Sequence, residues 1–206
     1  MTTRLLYLVR HGLHEKDPGA EAGDGNEDGA LADDGRRQVA LLAERLRGTG
    51  VVAVHHSTLR RGVETARVLR EALDAPLRPS DDLREFVPFR PADDLLGEPH
   101  RRWFAEWPAR ILELGERRAA AVVERFAGTR DGQAELLVTH GNVIAWLVCE
   151  ALDVPRHRWL TMPHFNAALT VIAYREGRSP SLVTYNDASH LPPELIGTDY
   201  PAELRP

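Results

Sequence analysis

Short apolar runs alternate with amphipathic segments along this chain, and this alternation limits the folds open to it. Residues 5–9 are all apolar, and so are residues 51–54. Runs of this length are typical of buried strands. After the first run, Val39, Leu42 and Leu46 recur at helical spacing within residues 33–47. Strands that alternate with helices form parallel βαβ units. We therefore predict an α/β fold, a three-layer αβα sandwich around a mostly parallel sheet.

The same reading gives a full set of elements. We predict strands at 5–9, 51–54, 76–79 and 135–138, helices at 33–47, 59–73, 109–126 and 143–152, and a final hairpin of 167–174 with 182–185. Residues 17–30 are rich in glycine and acid, which predicts an exposed, mobile loop. Ala32 precedes the first helix, so we expect Asp33 or Asp34 to supply its N-terminal cap.

Composition narrows the class of protein. A length of 206 residues predicts one domain over 1–206. The net charge of −5 argues against nucleic acid or an anionic membrane as partner. Cys149 is the only cysteine, which excludes an intramolecular disulfide and a cysteine-based zinc site. No signal peptide is recognisable, and no apolar run approaches the ~18 residues of a membrane span, so we predict a cytoplasmic protein.

Polar residues follow three of the predicted strands. Arg-His-Gly stands at 10–12, a serine and two arginines lie within 57–61, and His-Gly-Asn stands at 140–142. The carboxyl ends of parallel strands share one edge of a sheet, where ligands bind. Arginines hold phosphoryl oxygens through paired hydrogen bonds, and a histidine can form a covalent intermediate. The pattern predicts a phosphoryl pocket.

In this order the segments resemble the motifs of the histidine phosphatase superfamily, which has the phosphoglycerate mutase-like fold. The matching segments are LVRHG at 8–12, LADDGRRQ at 31–38, STLRRGVETA at 57–66, Leu83-Arg84-Glu85 and VTHGNVI at 138–144. The resemblance covers nearly the whole chain.

The resemblance implies a role for each residue of the pocket. His11 would be the nucleophile, Arg10 and Arg61 would clamp the phosphate, a protonated His140 would add positive charge, and Glu85 would donate a proton. His11 must then be neutral at the attacking nitrogen, with the other nitrogen donating to a backbone carbonyl. Glu85 needs a raised pKa to protonate the leaving oxygen. Arginines supply the positive charge, so neither a metal nor a cofactor is expected.

Two further residues lie near these motifs. Asn142 is predicted to add a hydrogen bond to the phosphate, and His14, three residues beyond the nucleophile, is predicted to reach the substrate. The remaining histidines lack metal-ligand spacing and are interpreted as surface residues or as residues with local partners. These are His55, His56, His157 and His164.

Residues 86–108 break the alternation with four prolines and an aromatic cluster, and we predict a small insert that acts as a lid. One reading has Arg90, Arg101 or Arg102 meet a second anionic group of the substrate. The other has the aromatics pack, since Trp103 and Trp107 are four residues apart and share a helical face.

The predicted activity is that of a histidine acid phosphatase-type phosphomonoesterase, independent of metal and acting on a small phosphorylated metabolite. Residues 13–17 depart from the polar segment, containing tryptophan and asparagine, that the family's mutases carry there, which favours a phosphatase. A cofactor-dependent mutase and a non-catalytic phosphate-binding scaffold stay open as alternatives. The substrate and the oligomeric state are left open.

Overall fold

The computed structural model describes residues 2–16 and 28–205, so most of the predicted loop at 17–30 lies outside the described residues. The described part forms one sheet with helices on both of its faces. Its strands are β1 (Thr3–Arg10), β2 (Ala53–Ser57), β3 (Leu77–Ser80), β4 (Glu135–Thr139), β5 (Leu169–Arg175) and β6 (Ser181–Asp187). Its α-helices are α1 (Asp33–Leu46), α2 (Arg60–Leu73), α3 (Glu98–Ala105), α4 (Ala109–Phe126) and α5 (Gly141–Leu152). Its 3-10 helices are Asp81–Leu83, Asp93–Leu95, Arg156–Thr161, Pro193–Leu195 and Ala202–Leu204.

The sheet is mostly parallel. The strand order is β3-β2-β4-β1-β5-β6, and the first four strands in this order pair in parallel. The last two strands form the predicted hairpin, and β5 runs antiparallel to β1. The predicted α/β sandwich is therefore confirmed. β1, β2 and β4 are neighbours, so their carboxyl ends meet at one edge.

Both faces of the sheet are covered, which explains why the first strand is apolar without interruption. Successive side chains of a strand point to opposite faces. Leu6 and Leu8 pack in one core cluster with residues of α4 and α5. Tyr7 and Val9 pack in a second cluster with residues of α1 and α2. A strand buried on both faces reads as a continuous apolar run.

Two local predictions are wrong. β2 spans Ala53–Ser57 rather than 51–54, because His55 and His56 are buried and pair with β4. Ser57 is the last residue of the strand and Arg61 lies in the first turn of α2, so both are at the predicted edge. The N-cap of α1 is Ala32 without a side-chain cap, and Asp34 instead pairs with Arg37 at 3.0 Å.

The insert at 86–108 holds α3 and the 3-10 helix before it. Phe104 of α3 is buried in the first core cluster, and Trp103 and Trp107 pack partly buried against that cluster. The predicted packing of the two tryptophans is confirmed. In the described ranges, no helix is both long and apolar enough to cross a membrane.

Candidate active site

The loop after β1 is held tightly against its surroundings. The backbone N–H of His11 donates to Thr139 O at 3.0 Å, and that of Gly12 donates to the Thr65 hydroxyl at 3.1 Å. A Cβ on Gly12 would lie 2.7 Å from the backbone oxygen of Gly35 in α1. Only glycine allows this close approach. These contacts fix the position of His11 at the carboxyl edge of the sheet.

The imidazole of His11 is buried and has a defined partner at each nitrogen. Nδ1 lies 2.8 Å from the Gly12 carbonyl oxygen, to which it donates, and Nε2 lies 3.2 Å from Nε of Arg61, from which it accepts. The tautomer follows from these two hydrogen bonds. Burial, together with the charges of Arg10 and Arg61 and the nearby His140, holds the pKa of His11 well below its usual value. His11 is therefore neutral, with its lone pair on Nε2.

Arg61 joins the two histidines. Its Nη2 lies 3.4 Å from Nδ1 of His140, and Nε2 of His140 lies 2.9 Å from the hydroxyl oxygen of Ser57. The rings of His11 and His140 are 4.9 Å apart. Burial and the charges of Arg61 and Arg10 hold the pKa of His140 well below its usual value. His140 is therefore neutral in this arrangement, and its protonation beside a bound phosphoryl group stays a prediction. A phosphate dianion would shift the balance back towards the protonated form.

Arg10 is the less buried of the two arginines. Its Nη1 donates to the carbonyl oxygen of His164 at 2.7 Å, and its Nη2 lies 2.7 Å from the Asp199 carboxylate. The ring of Tyr200 lies 5.9 Å from its guanidinium carbon. Sequence reasoning missed these three partners, because they come from a distant part of the chain and belong to no motif that was recognised.

Glu85 follows the 3-10 helix Asp81–Leu83. Its Oε1 is buried, and no described residue provides it with a hydrogen-bond partner. Burial raises the pKa of Glu85 to about 7, against the opposing charges of Arg10 and Arg61 and the backbone N–H groups of Phe86 and Asn142. The carboxyl therefore lies close to both arginines, and its raised pKa favours the protonated form relative to an exposed glutamate.

His14 and Asn142 both lie next to this group. The ring of His14 is 5.1 Å from that of His11, edge to face. Burial and the charges of Arg61 and Arg10 lower the pKa of His14 to about 4, so it is neutral at pH 7. Nδ2 of Asn142 donates to Phe86 O at 3.2 Å, which anchors the start of the insert. The phosphate contact of Asn142 stays a prediction.

The arginines of the insert are occupied locally. Arg90 pairs with Asp93 at 2.6 Å, and Arg101 and Arg102 pair with Glu98 at 3.3 and 2.9 Å. Nη1 of Arg101 also donates to the backbone oxygen of Asp93 at 3.1 Å. The structure gives no support to the reading in which these arginines meet a second anion.

Three of the other histidines have partners outside the site. His55 Nε2 lies 2.8 Å from Glu135, and the Nδ1 atoms of His56 and His164 lie 2.9 and 3.1 Å from the carbonyl oxygens of Ser57 and Met162. Within the ranges 2–16 and 28–205, no cluster of three or more histidine, cysteine or carboxylate groups has the arrangement of a metal site.

Two histidines and two arginines meet at the carboxyl edge of a mostly parallel sheet, and comparison with known proteins gives the family to which the chain belongs. The family model of the histidine phosphatase superfamily, branch 1, matches residues 6–188. The chain belongs to this superfamily.

The relatives are phosphatases. The chain is 31% identical over 201 residues to the mitochondrial serine/threonine-protein phosphatase PGAM5 of Xenopus tropicalis, covering 94% of this chain and 68% of the relative. It spans about two thirds of the length of such relatives, 66% for those of rat and mouse. Phosphatase relatives support a hydrolase activity.

Solved structures share the fold. Bacillus stearothermophilus YhfR superposes with a TM-score of 0.72 at 24% identity, covering 91% of this chain and 98% of that one. A phosphoserine phosphatase of Entamoeba histolytica, solved with phosphoserine, superposes with a TM-score of 0.68 at 19% identity, covering 92% and 100%.

Proposed function

We propose that the protein is a metal-independent phosphomonoesterase that hydrolyses a small phosphorylated metabolite through a phosphohistidine at His11. The observation that carries the proposal is the presence of two groups beside the same two arginines, Arg10 and Arg61. One is a neutral His11 with its lone pair on Nε2, and the other is a Glu85 carboxyl whose pKa is raised to about 7. A binding scaffold has no need of both.

In the first step Nε2 of His11 attacks phosphorus while the bond from phosphorus to the leaving oxygen breaks. The hydrogen bond that Arg61 donates to Nε2 must first break, so that the lone pair of Nε2 can face the phosphorus atom. The Arg61 donors can then turn to the phosphoryl oxygens, together with those of Arg10. Such charge neutralisation and positioning provide most of the catalysis in phosphoryl transfer. Glu85 gives its proton to the leaving oxygen.

In the second step Glu85, now a carboxylate, takes a proton from water. The water oxygen bonds to phosphorus as the bond to Nε2 breaks, so that phosphate leaves and His11 returns to its neutral form. The buried Oε1 of Glu85 has no competing partner among the described residues, which suits a group that gives and regains a proton.

Phosphoserine and phosphothreonine are alkyl phosphates, so the same chemistry serves a protein substrate of the kind named for the relatives at about 30% identity. We favour a small substrate because the reacting groups are buried. A cytoplasmic location and the acid phosphatase type stay predictions, and the relatives are named as mitochondrial.

The proposal is tested by turnover of p-nitrophenyl phosphate in the presence of a chelator. We expect wild-type protein to release phosphate with chelator present and the His11→Ala variant to release none. A bisphosphorylated primer in a mutase assay distinguishes the mutase alternative. Turnover that requires an added metal, or that survives in His11→Ala, would contradict the proposal.

A further inference from the structure

A cavity of about 670 Å³ adjoins the candidate active site. Its walls come from α3, from the 3-10 helix Arg156–Thr161 and from the C-terminal segment. The lining is mainly aromatic and apolar, and includes Trp103, Trp159, Met162 and Tyr200. Volumes of this size are typical of sites that enclose a small organic ligand.

Three contacts place this cavity beside the reacting groups. Asn142, one of its lining residues, directs its backbone N–H to the Glu85 carboxyl. Tyr200, another, has its ring under the Arg10 guanidinium. The lining also includes Met162, two residues before His164, whose carbonyl oxygen holds Arg10. The leaving oxygen must lie at Glu85 to receive its proton, so the group bonded to that oxygen extends towards this cavity.

The cavity offers aromatic surface and little charge. None of its described lining residues is an arginine, lysine, aspartate or glutamate. The nearby Arg101 and Arg102 are paired with Glu98. The polar lining residues are His100, Asn142, Thr161 and Tyr200. A charged group that enters the cavity therefore loses hydration without gaining an ion pair to an arginine, lysine or carboxylate, which costs free energy.

The aromatic walls are held in place before any substrate binds. Trp159 is buried and its Nε1 donates to Phe89 O at 3.0 Å. The Tyr200 hydroxyl accepts from the His164 N–H at 3.2 Å. The Trp103 ring packs edge to face against Phe104, 4.8 Å away. Fixed aromatic rings favour another ring in stacked or edge-to-face contact.

We infer that this cavity receives the leaving group, and that the preferred substrate is the phosphate monoester of an uncharged alcohol that carries an aromatic ring. The inference rests on the proposed phosphatase function.

Three primary alkyl phosphates test the inference. In each of them the leaving group is an alkoxide unless it is protonated, so each needs the proton of Glu85. They are 2-phenylethyl phosphate, ethyl phosphate and O-phosphoserine. We expect kcat/KM for 2-phenylethyl phosphate to exceed that for ethyl phosphate by roughly tenfold to 100-fold, the effect of burying a phenyl group. It should also exceed that for O-phosphoserine.

Two neighbouring tryptophans supply a matched pair of variants. The rings of Trp103 and Trp107 are 5.4 Å apart and both pack partly buried against the same core, but only Trp103 lines the cavity. Trp103→Ala should lower the ratio of kcat/KM for 2-phenylethyl phosphate over ethyl phosphate by about fivefold to tenfold, the loss of one ring contact. Trp107→Ala should leave that ratio unchanged.

A third variant does not depend on removing a large side chain. Thr161 is exposed and lines the cavity, so Thr161→Arg adds a cation there without disturbing the core. We expect this variant to raise kcat/KM for phosphoglycolate, an alkyl phosphate whose carboxylate is its only other charged group, relative to 2-phenylethyl phosphate.

The two proposals fail in different ways. No turnover of any of the three esters or of p-nitrophenyl phosphate would overturn the proposed function, and with it the inference. Turnover in which wild type shows no preference for 2-phenylethyl phosphate would overturn the inference alone. So would a ratio that changes equally in Trp103→Ala and Trp107→Ala, or a Thr161→Arg variant with unaltered selectivity.

Discussion

The candidate site has two ends that are built in different ways. We define the phosphate end as His11, Arg61 and His140 with their partners. It lies at the carboxyl ends of β1, β2 and β4, and these three side chains are at most 4% exposed. The leaving-group end, which we define as the cavity beside Asn142, is built from the insert, a 3-10 helix and the C-terminal segment. In our proposal the buried end carries the chemistry, and the peripheral end selects the substrate, as loops on a fixed scaffold commonly do.

The electrostatics of the two ends differ as well. At the phosphate end, burial and the charges of two arginines lower the pKa values of His11 and His140, so both histidines are neutral. At the leaving-group end, the acids and arginines of the insert pair among themselves. The comparison predicts that substitutions at the phosphate end affect every substrate, whereas those at the other end change the order of preference.

The largest expected effect is that of His11→Ala. Nε2 of His11 is the proposed site of the covalent bond, so this variant should lose turnover of every phosphate ester. Brief reaction with labelled substrate should give wild-type protein an acid-labile, base-stable label that the variant lacks. An unchanged thermal unfolding temperature serves as the control for folding. Label retained by the variant would place the nucleophile elsewhere.

Glu85→Gln should have the next largest effect, and one that depends on the leaving group. The leaving group of an alkyl phosphate is a strongly basic alkoxide that needs a proton. The nitrophenolate released from p-nitrophenyl phosphate is a weak base and needs little protonation. If formation of the phosphoenzyme limits the rate, we expect a loss of about 10²-fold to 10⁴-fold on an alkyl phosphate and a much smaller loss on p-nitrophenyl phosphate.

If hydrolysis of the phosphohistidine limits the rate instead, both substrates should slow equally and phosphoenzyme should accumulate in Glu85→Gln. Quenched-flow measurement of the labelled enzyme separates the two cases. Wild-type rates on both substrates would remove Glu85 from the mechanism, and Asp82 would be the next carboxylate to test.

The pH dependence provides a smaller but sharper test of the same residue. The pKa of Glu85 is raised to about 7, and the proton donor is its protonated form. Activity on an alkyl phosphate should therefore fall as the pH rises through about 7. The pH profile of kcat/KM should show this decrease above about pH 7, the alkaline limb, in wild type, and the limb should be absent in Glu85→Gln. A limb that persists in the variant would belong to another group.

Arg61→Ala should weaken inhibition by phosphate or vanadate, since a hydrogen bond to a charged group contributes ~1.5–3 kcal/mol. Arg10→Ala should weaken it too, but by less, because part of the charge of Arg10 is already balanced by Asp199. Inhibition constants measured for the two variants under one set of conditions decide the order. If neither constant changed, the phosphate would bind elsewhere.

The difference between the two ends also explains what the sequence could predict. The phosphate end follows from local patterns, because an apolar run followed by Arg10 and His11 places them at a strand end. The pairing of β1 with β4 then brings His140 beside them. The protonation of His140 does not follow from these patterns, since it depends on burial among charges that no local pattern records.

The leaving-group end could not be predicted in the same way. The spacing of Trp103 and Trp107 indicates packing, and Trp103 does pack against the core. It also lines the cavity together with Tyr200, which lies nearly 100 residues further along the chain. No spacing connects these two positions. Likewise, nothing in the sequence around Asp199 links it to Arg10. Such contacts depend on how irregular segments return to the sheet, which periodicity does not encode.

The smallest expected effect concerns Asp199, where the two ends meet. Its carboxylate lies 2.7 Å from Nη2 of Arg10. The side chain of Arg10 is 16% exposed and that of Asp199 is 25% exposed. A phosphate oxygen would need the same donor, so we expect Asp199 and phosphate to compete. An ion pair this close to solvent contributes only ~0.2–1 kcal/mol. Asp199→Asn should therefore tighten inhibition by phosphate by no more than about fivefold.

Asp187→Asn is a matched control, because Asp187 forms an ion pair with Arg45. Their side chains have a similar exposure, 24% for Asp187 and 29% for Arg45. Neither residue contacts the described groups of the phosphate end. It should leave the inhibition constant unchanged. Arg10 keeps its hydrogen bond to the His164 carbonyl oxygen when Asp199 is neutral, so its position is retained. Weaker inhibition in Asp199→Asn would show instead that the carboxylate positions Arg10 for the phosphate, and the C-terminal segment would then belong to the phosphate end.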